Sequence, residues 1–273
     1  MNAYFVSFHP QVPMEKNLPL FQPLETPELL QMVGEAAGVV VPSYITPTRY
    51  ASIARCARNC FPRLEARFDY CGKTRQIHLF RRLGVRHPES VTFENPSRLR
   101  ETFLHSGTFL EYPMVLKGDT GGGGSRVFPV HSRSDLLRRL GSLPGDEPVL
   151  VQEWIHHGGR DLRVVVYGDR AVSYFRVGDG RFYNNVCRGG RIDRDGHPRE
   201  QEKGIRAVRD FCRRAGIDVA GFDLMFPDDG EPVFIEINFH FGRKGLGGTR
   251  GHREYFRQAV EAWRTDCLRR LRA

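Results

Sequence analysis

Short apolar runs alternate with helical periodicities along the chain, the pattern of a mixed α/β protein. Tyr4-Phe-Val-Ser-Phe8 reads as an opening strand, and Val39-Val-Val41 as a buried one. Between them Thr26-Pro27, a cap followed by a first-turn proline, opens a helix to about Ala37. Another helix is expected after Thr48, past Ala51, Ile53 and Ala57 to Asn59, until Phe61-Pro62 interrupts it. From Lys73 the positions Ile77, Phe80 and Leu83 fall on one helical side, with Gly84 as the stop, and Pro88 begins a loop. The pattern then predicts a helix over 97–105, strands over 114–117 and 126–130, a helix after Ser134 and a strand over 149–153. Strands over 162–167 and 171–176 follow, then a helix over 200–215, a hairpin, and a last helix from His252.

The hairpin carries the most informative chemistry. Asp229-Gly230 is a strong two-residue turn signal, and a turn centred there pairs 228 with 231 and therefore Asp223 with Glu236. Paired residues share a face, and Asn238 lies on that face one pleat further. Two carboxylates and an amide oxygen are hard donors suited to Mg²⁺ or Mn²⁺. A surface hairpin with incidental acids is the competing reading.

Lys117 ends a strand and is followed by Gly118-Asp-Thr-Gly-Gly-Gly-Gly-Ser125 and another strand. Glycines let backbone N–H groups approach anionic oxygens, and the lysine adds a point charge, so the arrangement suits polyphosphate. The segment is neither a Rossmann fingerprint nor a phosphate loop opening a helix. Gly72-Lys73-Thr74 is no Walker motif either, because Arg67 stands where its first glycine should be.

With 273 residues, 40% hydrophobic and 27% charged, the chain is long enough for a substantial core. The start shows no basic leader followed by an apolar stretch, and no run of about 18 apolar residues occurs, so neither a signal peptide nor a membrane partner is expected and the cytoplasm is the default compartment. Six scattered cysteines without C-x-x-C spacing argue against a disulfide framework and a zinc site. A formal charge of +9 favours anionic partners without choosing among them, and no nucleic-acid motif is visible, so nucleic acid is not expected.

Taken in order, these segments make the chain resemble the ATP-grasp ligases, closest to the ribosomal protein S6 modification, or RimK-like, group of amino-acid ligases. Lys73 with its helix and Lys117 with the glycines resemble the family's two phosphate lysines and its ATP-covering loop, including Gly122, Gly123 and Gly124. Glu153-Trp154-Ile155 resembles the hinge that hydrogen-bonds adenine, Asp161 a nucleotide-contacting position, and Asn185 in Phe182-Tyr-Asn-Asn185 a residue bordering the phosphates. Asp223, Glu236 and Asn238 fall on the metal ligands. Arg163, Arg176 and Arg188 fall where the family places polar contacts, as candidates for stabilising an acyl phosphate and a tetrahedral oxyanion.

The resemblance implies an α/β (α+β) chain with the ATP-grasp fold, in which two α+β subdomains sandwich ATP. The expected division is a shortened N-terminal α/β domain over 1–68, a small subdomain with the glycine loop over 69–148, and a C-terminal subdomain with the metal hairpin over 149–273. It implies an ATP- and Mg²⁺- (or Mn²⁺-) dependent carboxylate–amine ligase acting through an acyl phosphate. An ATP-grasp phosphotransferase and a catalytically silent ATP-binding module are the alternatives. The expected substrate is a small amino acid or acidic peptide, or a protein C-terminus, with Arg243, Lys244 and Arg250 available to an acidic group. Phe239-His240-Phe241 replaces the family's small-residue and proline-glycine turn, which commonly touches the substrate, so the resemblance leaves substrate identity open, as it does oligomeric state.

Overall fold

Three sheets form in chain order among the described residues of the computed structural model, which are 3–21, 26–178, 182, 184 and 189–272. The first unit holds β1 (Phe5–Ser7), β2 (Lys16–Asn17), α1 (Pro27–Glu35), β3 (Gly38–Val40), α2 (Pro47–Cys56), β4 (Cys60–Phe61) and α3 (Glu65–Asp69). Its sheet is parallel, in the order β2-β1-β3-β4. Every residue of β1 and β3 is buried, as central parallel strands require. The helix expected after Thr48 starts earlier because Thr46 is the cap, its Oγ1 accepting from the Arg49 N–H at 3.4 Å, and Pro47 fits the first turn. It also ends earlier, at Cys56, before residues 60–61 join the sheet as β4.

The second unit comprises α4 (Lys73–Arg82), β5 (Ser90–Phe93), α5 (Pro96–Ser106), β6 (Met114–Gly118), β7 (Val127–Val130), α6 (Arg133–Leu140) and β8 (Val149–Glu153). Its sheet is antiparallel, in the order β5-β8-β6-β7. Leu99 and Phe103 of α5 and Leu136 and Leu140 of α6 pack with Met114, Leu116, Val149 and Val151 into one core. β5 forms where the pattern after Pro88 predicts only a loop. The expected boundary at residue 149 falls on the first residue of β8, whose pairing with β5 and β6 keeps it in this sheet.

The third unit holds β9 (Arg160–Tyr167), β10 (Arg170–Val177), β11 (Arg191–Asp193), α7 (Pro198–Ala215), β12 (Val219–Met225), β13 (Val233–Asn238) and α8 (Gly248–Arg272). Its antiparallel order is β11-β10-β9-β12-β13. Leu162, Val164, Phe222 and Leu224 form the largest core with Phe211 of α7 and with Ile77 and Phe80 of α4. By packing, α4 therefore serves the third sheet although it precedes the second in sequence. Gly204 permits the seating of α7, since a Cβ there would stand 2.4 Å from Leu162 Cδ2.

On the opposite side Val165 and Tyr167 pack with Phe256 and Val260 of α8, and this cluster includes Val40 and Phe61 of the first unit. Trp263 of α8 lies directly over Gly38, where a Cβ would fall 2.5 Å from its ring. Among the described residues no helix is long and apolar enough to cross a membrane.

Candidate functional site

A cavity of about 420 Å³ is lined by residues of both antiparallel sheets. On the third sheet the lining residues are cross-strand partners: Asp161 stands opposite Arg176, Arg163 opposite Tyr174, and Asp223 opposite both Arg163 and Glu236. Pairing of this kind puts opposite charges into direct contact on one face.

The contacts form a buried lattice. Arg163 donates to Asp223 through Nε at 2.5 Å and Nη2 at 3.2 Å, and Arg176 donates to Asp223 Oδ2 at 3.1 Å and to Asp161 Oδ1 at 2.6 Å. All four residues are more than nine-tenths buried. Burial opposes ionisation of Asp223, but the two guanidinium groups outweigh it and hold its carboxyl below the usual range.

Asp223 does stand opposite Glu236, but not through a two-residue turn. The strands stop at Met225 and Val233, and Leu224 pairs with Phe234 while Asp223 pairs with Glu236, so Ile235 is an extra, bulged residue. The bulge turns Ile235 as well as Glu236 to the cavity. Asn238 donates through Nδ2 to Asp223 Oδ2 at 3.2 Å, which turns the amide oxygen away from that carboxylate.

Lys73 is brought in by α4, which is tied to β13 by Gln76. That side chain donates to the Ile237 carbonyl and accepts from the Ile237 N–H, both at 2.8 Å, so it extends the edge of the sheet as a further strand would. A lysine in a first turn opposes the helix dipole. Asp119 offsets this, its carboxylate accepting from the Thr74 N–H and hydroxyl, both at 2.7 Å. Lys73 Nζ then reaches the Gly121 carbonyl at 3.2 Å and Glu236 Oε1 at 3.4 Å.

Lys117 donates to Gln152 Oε1 at 2.5 Å, and Gln152 donates in turn to Ser90 Oγ at 2.9 Å. Burial lowers the Lys117 pKa to about 8, Glu236 pulling it up and Lys73 pushing it further down. The strip after Lys117 contributes Gly122, Gly123 and Gly124 to the lining, and φ is positive at Gly121, Gly123 and Gly124, a backbone that L side chains resist.

At the other end Glu153, Trp154 and Ile155 border the cavity, with the Trp154 ring 5.1 Å from that of Phe182. Glu153 donates its N–H to the Glu89 carbonyl at 2.8 Å.

The cavity thus gathers Lys73, Lys117, the three glycines, residues 153–155, Asp161, Arg163, Arg176, Asp223, Glu236 and Asn238. Asn185 and Arg188 lie outside the described residues. Gln76, Asp119 and Gln152, which hold these groups in place, belong to none of the sequence motifs described above. Gln152, a polar residue at a fully buried strand position, is the one whose pattern could have exposed it. Lys244 and His240 line the cavity as well, whereas Arg243 and Arg250 are exposed residues outside its lining.

The donor set fits a divalent cation shared with phosphate. Among the described residues no three acidic, histidine or cysteine side chains cluster into a cage, so an ion here would lean on two carboxylates and an amide. Mg²⁺ is commonly bound in this way, its remaining positions filled by water and phosphate oxygens.

Residues 71–252 match the RimK-like ATP-grasp domain. The chain belongs to that family. Among relatives of this RimK-like chain, beta-citrylglutamate synthase B of Danio rerio is 32% identical over 162 residues, covering 58% of this chain and 39% of that protein. Human N-acetylaspartylglutamate synthase A is 33% identical over 136 residues, 49% of this chain and 34% of that one. The chain therefore spans about two fifths or less of the length of these relatives. A RimK domain ATP-grasp protein of Sphaerobacter thermophilus superposes with a TM-score of 0.58 at 18% identity, covering 82% of this chain and 81% of that one. The fold is ATP-grasp, and the family uses ATP and divalent metal ions.

Proposed function

We propose that the protein is an ATP-dependent carboxylate–amine ligase working through an acyl phosphate. One observation carries the reading: two lysines, a positive-φ glycine strip and a two-carboxylate, one-amide donor set meet in a cavity between two antiparallel sheets. The base of ATP packs beside Trp154 and is hydrogen-bonded by the backbone of 153–155. The triphosphate extends to Lys73, Lys117 and the glycine strip, where backbone N–H groups and the two ammonium groups neutralise its charge.

Asp223, Glu236 and Asn238 would hold a divalent ion, Mg²⁺ or Mn²⁺, and when bound it would supply positive charge against the phosphate oxygens. A substrate carboxylate oxygen attacks the γ-phosphorus and ADP leaves. An amine then attacks the acyl carbon, loses a proton to solvent, and inorganic phosphate departs. Arg163 and Arg176 present fixed positive charge to the oxygens of these two steps, and Asp161 holds Arg176 in place. No covalent enzyme intermediate is needed, because positioning and electrostatics suffice for phosphoryl transfer.

The amine substrate is proposed to be acidic, and glutamate fits best. Glutamate recurs in the names of the relatives, and Lys244 offers an ammonium group at the cavity wall. The three units are proposed as a scaffold followed by two ATP-holding lobes, with the cytoplasm as the site of action.

The test is ADP release with Mg²⁺ and ATP across single amino acids and pairs, with mass spectrometry of the mixtures. Ligation requires ADP that depends on both substrates, an amide product and free phosphate, all absent in Asp223→Asn. ADP formed without amine and with a phosphorylated product would instead identify a phosphotransferase.

A further inference from the structure

Asn184 is the one cavity-lining residue with a buried side-chain polar atom that no described group satisfies: its Oδ1 is without a hydrogen-bond partner. The residue is only 4% exposed. An unsatisfied buried acceptor costs about 1–3 kcal/mol, so its persistence calls for a reason. The other end of the amide is fixed, as Nδ2 lies 3.3 Å from His157 Nδ1. Burial lowers the His157 pKa, which keeps the ring neutral and able to accept that bond.

The position of the pair narrows what can complete it. On one side stands the Trp154–Phe182 aromatic contact, with Phe182 two residues before Asn184. On the other is Asp161, whose charge His157 feels and which leads through Arg176 to Asp223. His157, to which Asn184 is joined, therefore stands in the chain between residues 153–155, proposed for the base, and Asp161, which leads to the end proposed for the metal and phosphates, and all of them line the cavity. The part of a nucleotide that spans this interval is the sugar.

We propose that Asn184 hydrogen-bonds a ribose hydroxyl of the bound nucleotide, with His157 positioning the amide; this rests on the ATP-binding reading above. A hydroxyl both donates and accepts, so it satisfies Asn184 with the amide as oriented here and also with its O and N exchanged and the His157 tautomer altered. The amino group of a base, a donor only, would satisfy just the first arrangement.

The deciding experiment measures Kd for ATP, 2′-deoxy-ATP and 3′-deoxy-ATP by calorimetry, with wild type, Asn184→Ala and Asn184→Ser. The wild type is expected to bind one deoxynucleotide about tenfold more weakly than ATP, as one buried hydrogen bond warrants. Asn184→Ala should weaken ATP by a similar factor and leave the affinity for that deoxynucleotide unchanged, so that the discrimination disappears. Asn184→Ser, with a shorter side chain, should lose discrimination likewise, and the nucleotide-free melts of both variants should fall no lower than the wild type's, since each removes the unsatisfied acceptor. Equal weakening of all three nucleotides by Asn184→Ala, or unchanged ATP binding, overturns the assignment while leaving the ligase reading intact. Failure of the wild type to bind any of the three overturns both.

Discussion

On the third sheet the residues Asp161, Arg163, Arg176 and Asp223 are bonded to one another and more than nine-tenths buried. Across the cavity Gly121, Gly122, Gly123 and Ser125 are exposed, and the main-chain bonds Ser125 N–H to Gly122 O at 3.2 Å and Val127 N–H to Gly124 O at 3.4 Å are long ones. One wall fixes charge in place before any ligand arrives, and its members depend on each other. The other is a glycine strip, proposed above as a source of backbone donors, in a conformation that glycine alone adopts at little cost. Damage to the first wall should reach stability and chemistry together, whereas damage to the second should reach binding alone.

Asp223→Asn should produce the largest effect. It removes a proposed metal ligand and leaves two buried guanidinium groups short of charge. The expected result is a fall of about 10³-fold or more in ADP formation and a loss of about 3–5 kcal/mol in urea unfolding. Glu236→Gln sharpens the contrast: a comparable loss of activity with nearly unchanged stability is expected, because its lysine partner lies at 3.4 Å and only one ion pair is involved. Equal destabilisation by the two variants would contradict the mutual dependence of the lattice.

Lys117→Met should separate affinity from stability. ATP binding by calorimetry is expected to weaken at least tenfold, yet the free protein should gain of the order of 2 kcal/mol at pH 7. The sign follows from the folded pKa of about 8 lying below the ordinary value of 10.5. The buried ammonium penalises folding below about pH 8, and the penalty fades between pH 8 and 10.5, where the unfolded chain binds more protons. The gain from methionine should fade over the same window.

Gln76→Ala strips both partners from the Ile237 backbone, and a loss of about 2–3 kcal/mol is expected in chemical denaturation. Metal affinity should fall with it, read by titration with Mn²⁺, because Ile237 lies between Glu236 and Asn238. Smallest in stability is Gly123→Val, which forces a β-branched residue to φ near 63°. Unfolding should change by at most about 1–2 kcal/mol while KM for ATP rises severalfold. A melting temperature that falls as far as in Asp223→Asn would erase the distinction between the walls.

Most helices and long strands were legible from apolar spacing, including α4, α7 and the β9–β10 pair. Boundaries slipped where two capping residues competed, as Thr46 and Thr48 did, because Pro47 between them decides which one begins the helix. Short strands such as β4 and β11 were missed because two or three residues carry no period. The pairing of Asp223 with Glu236 was reached from a turn that the chain does not make. The bulge at Ile235 shifts the register back by the one residue that the longer loop had displaced, and no spacing rule encodes that shift. The charged positions of the cavity were readable as motifs in order, but Gln76 and Asp119 were not, since their partners lie about 160 and 45 residues away.

The placement of the two tryptophans gives the molecule separate optical reporters. Trp263 rests on Gly38 where α8 meets the first unit, while Trp154 borders the cavity proposed for ATP, against Phe182. With only two indoles in the chain, Trp263→Phe would leave an emission signal that follows occupancy, and Trp154→Phe one that follows detachment of the N-terminal sheet. Ligand capture and the seating of the first unit can thus be timed independently in one protein without an added label.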